Sequence, residues 1–162
     1  MEVLKDTINV ETTMLIVEPG SAIIGSAVEF HTSVIDIKDT DKSRIVTTDG
    51  SRINIDPLWS KKKYTYRIET NNQNRCNIDK QIICGYTCMD HDRIMTLLNK
   101  NMLSESDRII YEKVGAYSMT FGGPFIRYFP NVYVQHKNKL ELVRKRMETK
   151  DYYNIHANNR SV

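Results

Sequence analysis

The stretch VEFHTSVIDI at residues 28–37 does most to decide the fold. From Val28 to Val34 every second residue is Val, Phe or Thr, and side chains two apart in a strand point to the same face of a sheet. The apolar positions then shift by one, to the two isoleucines that close the stretch. Such a change of face indicates a β-bulge or a bend, as at a barrel corner. We therefore predict one long extended segment over residues 22–37.

The residues further along the chain continue this pattern of short strands. Asp49-Gly50 supplies the positive φ angles of a tight turn and predicts a hairpin between two of them. Asp90 is a candidate N-cap for one short helix at residues 90–100, because apolar residues follow it at helical spacing. The tail from Glu148 is expected to add a helical turn. Strands are predicted at residues 44–48, 52–55, 64–69, 80–85, 108–114, 125–129, 132–136 and 140–146.

Six to nine short strands with one clear helix indicate a mainly β fold, a barrel or a sandwich. The length of 162 residues suits one domain with a single core. The chain contains no apolar run of the roughly 20 residues that a membrane-spanning helix needs, so no membrane partner is expected.

Charge and cysteine content point to an ordinary intracellular protein. The net charge of +3 comes from a local excess of basic residues after Lys137, which is typical of a solvated tail, so no nucleic-acid partner is expected. Three cysteines are an odd number and favour reduced thiols. The first residues lack the pattern of a secretory signal, so we expect a cytoplasmic location.

Three short motifs follow one another along the chain, and their order is informative. They are Glu18-Pro19-Gly20, then GYTCMDHD at residues 85–92, which contains the pattern Gly-x-x-Cys-x-x-x-Asp, and then Gly115-Ala116-Tyr117. In this order they resemble the C-terminal half of the fold-type III pyridoxal-phosphate (PLP) decarboxylases that act on ornithine, arginine and diaminopimelate. The resemblance implies a Greek-key-like β-barrel with one or two short helices, of the alanine racemase and ornithine decarboxylase type.

The resemblance also implies a domain division. Residues 1–20 would be a remnant of the last strand of a TIM barrel that this chain lacks, and residues 21–162 would be the C-terminal β-barrel domain. The lysine that tethers PLP would belong to the N-terminal TIM-barrel domain, because fewer than 20 residues precede the first motif and such a barrel needs roughly 200. The chain alone is therefore expected to be inactive.

The cofactor contacts implied by the resemblance come from the first and third motifs. Glu18 would pair with the pyridinium nitrogen of PLP and keep it protonated. Gly20 and Ser21 would hydrogen-bond the cofactor phosphate through their amides or the serine hydroxyl, and Tyr117 would bind phosphate or substrate. The family usually has an arginine where this chain has Ser21, so the guanidinium charge is absent at that position.

The second motif would act at the partner subunit's active site in a homodimer. Cys88 is the implied catalytic proton donor, and Met89, Asp90 and Asp92 are the implied contacts to an amino-acid substrate. The family commonly has an acidic residue at the position of Met89, and a thioether cannot offset the distal ammonium of a diamine. Arg127, from an altered loop, is a further candidate contact to an anionic substrate group.

Two other functions stay open at this point. One is a stand-alone β-barrel module for binding or dimerisation without catalysis. The other is a small metal-binding β domain, because Cys84, Cys88 and His91 could supply three of the four ligands of a structural zinc site. A buried Cys88 at a strand end and a core tyrosine at Tyr117 are the purely structural alternatives for those two residues.

Overall fold

The computed structural model describes residues 7–9, 11–72 and 74–157. The first six residues of the predicted 1–20 remnant lie outside this description. The strands are β1 Phe30–Asp39, β2 Arg44–Thr48, β3 Thr65–Glu69, β4 Asn77–Cys84, β5 Arg93–Asn101, β6 Arg108–Glu112, β7 Val132–His136 and β8 Lys139–Arg144. The helical segments are α1 Ser21–Ile24, α2 Arg52–Ile55, the kinked α3 Gly115–Ser118 and α4 Thr149–Ala157, with 3-10 turns at Gly25–Ala27 and Asp90–Asp92.

Six of the strands form one curled sheet in the order β3-β6-β1-β2-β4-β5. All neighbours in it are antiparallel except β2 and β4, which run parallel. A parallel pair needs a long connection, and the chain between β2 and β4 supplies it with α2 and β3. Strands β7 and β8 form a separate two-stranded sheet. The predicted mainly β fold is confirmed.

The core consists of almost fully buried apolar residues from several strands of the six-stranded sheet and from the segments beside it. Strand β6 contributes Ile109 and Tyr111 to the core cluster, and Ile110 between them, on the opposite face of the strand, is also fully buried. The rest of the core cluster consists of Val34, Val46, Ile55, Ile83, Ile94, Leu97, Leu103 and Val114. Burial of one such aliphatic side chain stabilises the fold by roughly 1.5–3 kcal/mol.

The prediction for residues 22–37 is correct within strand β1 but wrong for the residues before it. The β1–β2 register shifts between Val34 and Asp36, which confirms the predicted bulge. The residues ahead of β1, however, form α1 and a 3-10 turn, so the extended segment predicted from residue 22 is wrong there. Gly20 precedes α1 with φ 55° and ψ −124°, a backbone conformation that favours glycine.

The predicted hairpin across Asp49-Gly50 is wrong. Residues 52–55 form α2, because Ser51 and Asn54 make a capping box: the Ser51 hydroxyl accepts from the Ile53 amide at 3.3 Å and the Asn54 carbonyl accepts from the Ser51 amide at 3.1 Å. Strand β2 pairs instead with β1 and β4.

The predicted helix at residues 90–100 is also wrong. Only a 3-10 turn forms at Asp90–Asp92, and β5 follows it and pairs with β4 almost along its whole length. Ile94 and Leu97 are buried by this pairing, so the sheet satisfies the same apolar residues that suggested a helix. Sheet contacts from distant residues outweigh the local helical spacing.

The remaining elements largely agree with the sequence. Strands predicted at 64–69, 80–85, 108–114, 132–136 and 140–146 correspond to β3, β4, β6, β7 and β8, and the helical tail is α4. No strand forms at residues 125–129, which are bounded by Pro124 and Pro130 and contain Ile126 at φ 65°. In the part of the chain that the structure describes, no helix is long and apolar enough to cross a membrane.

Candidate functional site

The loop of the second motif connects β4 to β5 and is organised around one buried carboxylate, that of Asp92. Asp92 accepts hydrogen bonds from the Ser51 hydroxyl at 3.0 Å, the Arg52 amide at 2.7 Å and the Thr87 amide and hydroxyl at 3.1 and 2.6 Å. Gly85 packs so closely on this carboxylate that any side chain there would overlap it. These contacts explain the Gly and Asp of the motif by local structure alone.

The residues between Gly85 and Asp92 project from this anchored loop. Cys88 is exposed, so its thiol is accessible, while Met89 is half-buried and its amide donates to the Thr87 hydroxyl at 3.4 Å. The Asp90 side chain is fully exposed, with Arg93 at 3.9 Å. The loop therefore presents Cys88 and Asp90 outward and turns Asp92 inward, away from any substrate.

Aromatic and cationic side chains flank the loop on two sides. The Trp59 ring meets the His91 ring edge-on at 3.7 Å, and the Arg52 guanidinium lies 5.2 Å from the Trp59 ring centre. On the other side, the Arg127 guanidinium lies 4.8 Å from the centre of the Tyr86 ring. The structure thus brings Arg127 to the same loop as Met89 and Asp90, as its predicted role requires.

Trp59 belongs to the loop between α2 and β3, which contains none of the three motifs. Its φ of 57° is unusual for a bulky residue, and such backbone strain is commonly found at functional sites. Asp56 holds this loop in place by accepting from the Lys61 amide at 2.9 Å, the Ser60 amide at 3.1 Å and the Tyr64 hydroxyl at 3.1 Å. The Ser51-x-x-Asn54 capping box was the signal that could have located this region.

Two ionisable groups in this loop are perturbed by their surroundings. Burial acts to raise the pKa of Asp56, but hydrogen bonds from the Lys61 amide, Arg52 and Ser60 outweigh it and hold the pKa below its usual value. Burial raises the pKa of Tyr64 to about 12, so its hydroxyl stays protonated and donates to Asp56. The loop is therefore stabilised by a charged carboxylate at neutral pH.

Ser21, which follows the first motif, and Ala116 and Tyr117 of the third motif meet at a cavity of about 250 Å³. Ser21 and Tyr117 both line it, together with Asp56, Lys61 and Ala116. Tyr117 has φ 64° and is 54% exposed, so the alternative of a buried core tyrosine is wrong. Two predicted cofactor residues that are distant in sequence thus share one cavity.

A close contact between Gly115 and α1 brings these motifs together. A side chain at Gly115 would overlap the carbonyl oxygen of Ile24, so only glycine allows the third motif to pack on this helix. Glu18 and Gly20 are exposed and do not line the cavity around Ser21.

Helix α2 connects the cavity to the loop that carries Cys88. The Arg52 amide binds Asp92, and the Arg52 guanidinium binds Asp56 at 3.0 Å, while Ile55 and Asp56 line the cavity. Within one chain the predicted residues therefore fall into two groups, one at the cavity and one around the loop.

The described residues give the zinc alternative no support. No group of three or more His, Cys, Asp or Glu side chains in residues 7–9, 11–72 and 74–157 is arranged to hold a metal ion. The thiols of Cys84 and Cys88 are free, and the His91 ring contacts Trp59.

Known structures resemble this fold along most of the chain. Diaminopimelate decarboxylase from Helicobacter pylori, complexed with L-lysine, matches with a TM-score of 0.69 and 22% identity over 88% of this chain and 35% of its own. The enzyme from M. jannaschii, in co-complex with L-lysine, matches with a TM-score of 0.68 and 22% identity over 94% and 34%. The Paramecium bursaria Chlorella virus arginine decarboxylase, bound to agmatine, gives 0.65 and 18% over 77% and 35%.

The chain has the fold of the β domain of these decarboxylases. The predicted structural resemblance is thereby confirmed, and the chain spans about a third of the length of the solved relatives, 35% of the Helicobacter pylori enzyme. No protein-family model matches the chain, and no curated protein sequence matches it.

Proposed function

We propose that this chain is the β domain of a PLP-dependent amino-acid decarboxylase and works together with a TIM-barrel domain. The observation that carries the proposal is the cavity shared by Ser21 and Tyr117, because the sequence resemblance independently implies a cofactor contact for both residues. The decarboxylase fold and the order of the three motifs support it. The whole enzyme would remove the α-carboxylate of an amino acid.

The residues at the cavity are chemically suited to the cofactor. The hydroxyls of Ser21 and Tyr117 are donors for phosphate oxygens, and Glu18 is exposed and forms no ion pair within the described residues, so its carboxylate is available to a pyridinium N–H. Bound PLP would supply the electron sink for loss of carbon dioxide. The role of the chain is to hold the cofactor ring protonated and its phosphate fixed.

Cys88 would supply a proton to the reacting carbon in the active site of the partner subunit of a homodimer. Its thiol is exposed on a loop that Asp92 anchors, so it is both accessible and positioned. Met89 and Asp90, which follow it in the chain, and Arg127, which lies over the Tyr86 ring of the same loop, are the proposed substrate contacts. Asp92 is fully engaged with internal donors, so we now propose a positioning role for it in place of direct substrate contact.

A hybrid enzyme tests this proposal. This chain would replace the β domain of the Helicobacter pylori diaminopimelate decarboxylase, with the unaltered enzyme as positive control, and carbon dioxide release would be measured across a panel of amino acids. We expect turnover of at least one amino acid by the hybrid and none by the chain alone, because the tethering lysine lies in the barrel domain. A hybrid that folds and binds PLP but turns over no amino acid would contradict the proposal.

Single substitutions in the hybrid test the assigned roles. Glu18→Gln should lower kcat by about 100-fold or more, because it weakens the charge that stabilises the transition state. Cys88→Ala should lower kcat by roughly 100-fold or change the position of protonation in the product. Cys76→Ala is the matched control, since Cys76 is an exposed thiol outside the motif, and it should leave kcat unchanged.

Mixing the two inactive variants tests the sharing of sites between subunits. If Glu18 and Cys88 serve opposite sites of one dimer, each mixed dimer keeps one intact site. Random exchange of subunits would then restore about a quarter of the wild-type rate. If no activity returns although sedimentation shows mixed dimers, then Glu18 and Cys88 of the same subunit serve the same site. The proposed sharing between subunits would then be wrong.

A further inference from the structure

A second cavity adjoins the one that Ser21 and Tyr117 line. Its volume is about 410 Å³, within the range of small-molecule sites. Ser21 and Lys61 line both cavities, so the two form neighbouring parts of one region. The second cavity is lined also by Ser26, Lys63, Lys113 and Glu112.

The backbone of Lys61 is held on both sides by a buried ion pair. Its amide donates to the Asp56 carboxylate at 2.9 Å, and its carbonyl accepts from the Arg52 guanidinium at 3.0 Å. The Asp56 side chain is 2% exposed and that of Arg52 is 16% exposed, so this support is shielded from water. The Lys61 ammonium donates to the carbonyl of Lys113 at 3.3 Å, so it lies against the wall of the second cavity while Lys61 lines both cavities.

The charges of the two cavities do not cancel. Three lysines line them, and none of the three forms an ion pair with a carboxylate of the described residues. Both lining acids are already engaged: Glu112 accepts from Arg67 at 3.0 Å, and Asp56 is bound by Arg52. An excess of positive charge beside two serine hydroxyls is suited to an oxyanion.

The backbone at Lys113 adds a separate observation. Lys113, two residues before the third motif, has φ 57°, and Tyr117, the last residue of that motif, has φ 64°, so both are strained non-glycine residues. Strain of this kind costs of order 1–3 kcal/mol for each residue and commonly accompanies a binding site. The strained segment lies against both cavities, since Lys113 lines one and Tyr117 the other.

From these observations we infer that the two cavities form a binding site for a phosphate dianion, with Lys61 as its central cation. If the phosphate belongs to PLP, the inference rests on the proposed function. If it belongs to another phosphorylated ligand or is free phosphate, the inference does not depend on the proposed function. Lys61 would then supply the positive charge that Ser21 lacks in the position of the family's arginine. Lysine binds phosphate as a point charge, and the serine and tyrosine hydroxyls complete the donors.

Binding to the full chain alone tests the inference. The probes are inorganic phosphate, pyridoxine 5′-phosphate, which has no aldehyde to react with lysines, and unphosphorylated pyridoxine. Binding would be measured by calorimetry and by amide shifts in NMR spectra. We expect saturable binding of both phosphates and none of pyridoxine; tighter binding of pyridoxine 5′-phosphate would identify the cofactor as the source, and equal binding a separate anion.

Substitutions at neighbouring lysines separate a site from general surface charge. Lys61→Met should weaken phosphate binding by about tenfold or more, the loss of one charge-assisted contact, and Lys61→Arg should restore most of it. Lys62→Met removes the same charge from an exposed residue that lines neither cavity, and it should change the Kd by less than about twofold. Circular dichroism would check that each variant is folded.

Absence of saturable phosphate binding, or equal losses for Lys61→Met and Lys62→Met, would overturn the inference. This result is independent of the decarboxylase test. A hybrid enzyme without activity, together with phosphate binding that depends on Lys61, would remove the proposed function and leave the site in place.

Discussion

Two short apolar stretches, residues 14–17 and the Ile82-Ile83-Cys84 end of β4, are placed in opposite ways in this molecule. Residues 14–17, with the sequence MLIV, are 53–81% exposed, and they pair with no strand of the described residues. Strand β4 contains two adjacent isoleucines near its end, and Ile83 there is fully buried between its neighbours. Both stretches are apolar, so hydrophobicity alone does not explain the difference.

Pairing explains the difference. Strand β4 has a parallel neighbour in β2 and an antiparallel one in β5, which satisfy its backbone groups while its side chains enter the core. Residues 14–17 have no such neighbours, and an apolar segment of this kind is usually covered in the working protein. This supports the proposal that a barrel domain receives these residues as a strand.

The largest effect is expected when one isoleucine in each stretch is replaced by alanine. Ile83→Ala should lower the free energy of unfolding by about 2–5 kcal/mol, because it removes core contacts and leaves a cavity. Ile16→Ala should leave it unchanged, since Ile16 is 75% exposed. Urea unfolding of the isolated chain followed by circular dichroism measures both. A comparable loss from Ile16→Ala would mean that residues 14–17 are packed in solution.

The two aspartates of the loop between β4 and β5 differ in a similar way, because Asp92 is buried and hydrogen-bonded whereas Asp90 is exposed. Asp92→Ala should lower the free energy of unfolding by about 3 kcal/mol, because it leaves donors from Ser51 and Thr87 without their partner. Asp90→Ala is the control and should have no effect, since its side chain is fully exposed. Equal stabilities of the two variants in urea unfolding would show that the Asp92 hydrogen bonds do not anchor the loop.

A smaller loss of folding stability is expected when the pH is lowered. Burial acts to raise the pKa values of Asp56 and Asp107, but their hydrogen bonds, from the Lys61 amide and from Arg75 respectively, hold both below the usual value. The unfolded chain therefore binds more protons, so stability is complete above the unfolded pKa of about 4 and is lost as the pH falls through the lower folded values.

Unfolding in urea at a series of pH values from about 6 to 2.5 measures this loss. Asp56→Asn should lower stability at neutral pH and flatten the decline in acid, because one of the two linked carboxylates is gone. Asp90→Asn again serves as control and should leave the pH profile as it is. A wild-type profile that is flat down to the lowest pH would contradict the assigned pKa shifts.

The sequence predicted those parts of the fold in which local pattern and long-range pairing agree. The alternation around Val34 and in β3 gave correct strands, and even the bulge was visible in the shift of apolar positions. The prediction failed at residues 90–100, where the spacing of Ile94 and Leu97 fits a helix but β4 supplies a partner strand. A pairing partner is not a local property of the sequence.

The candidate site was predictable only in part for a similar reason. The motifs named Ser21 and Tyr117, but their meeting at one cavity depends on the close approach of Gly115 to α1. Lys61 and Trp59 belong to no motif, and their placement follows from Asp56, whose hydrogen bonds arise only in the folded chain. Residues that act through such contacts leave no periodic signal.

The contact between Trp59 and His91 has a practical consequence. Trp59 is the single tryptophan of the chain, and its ring lies 3.7 Å from the His91 ring in the turn that follows Cys88. Tryptophan fluorescence of the unlabelled protein, excited selectively over its nine tyrosines, therefore comes from one indole beside the turn that follows the thiol. Any movement there, on joining another domain or a second copy, is optically visible without an added dye.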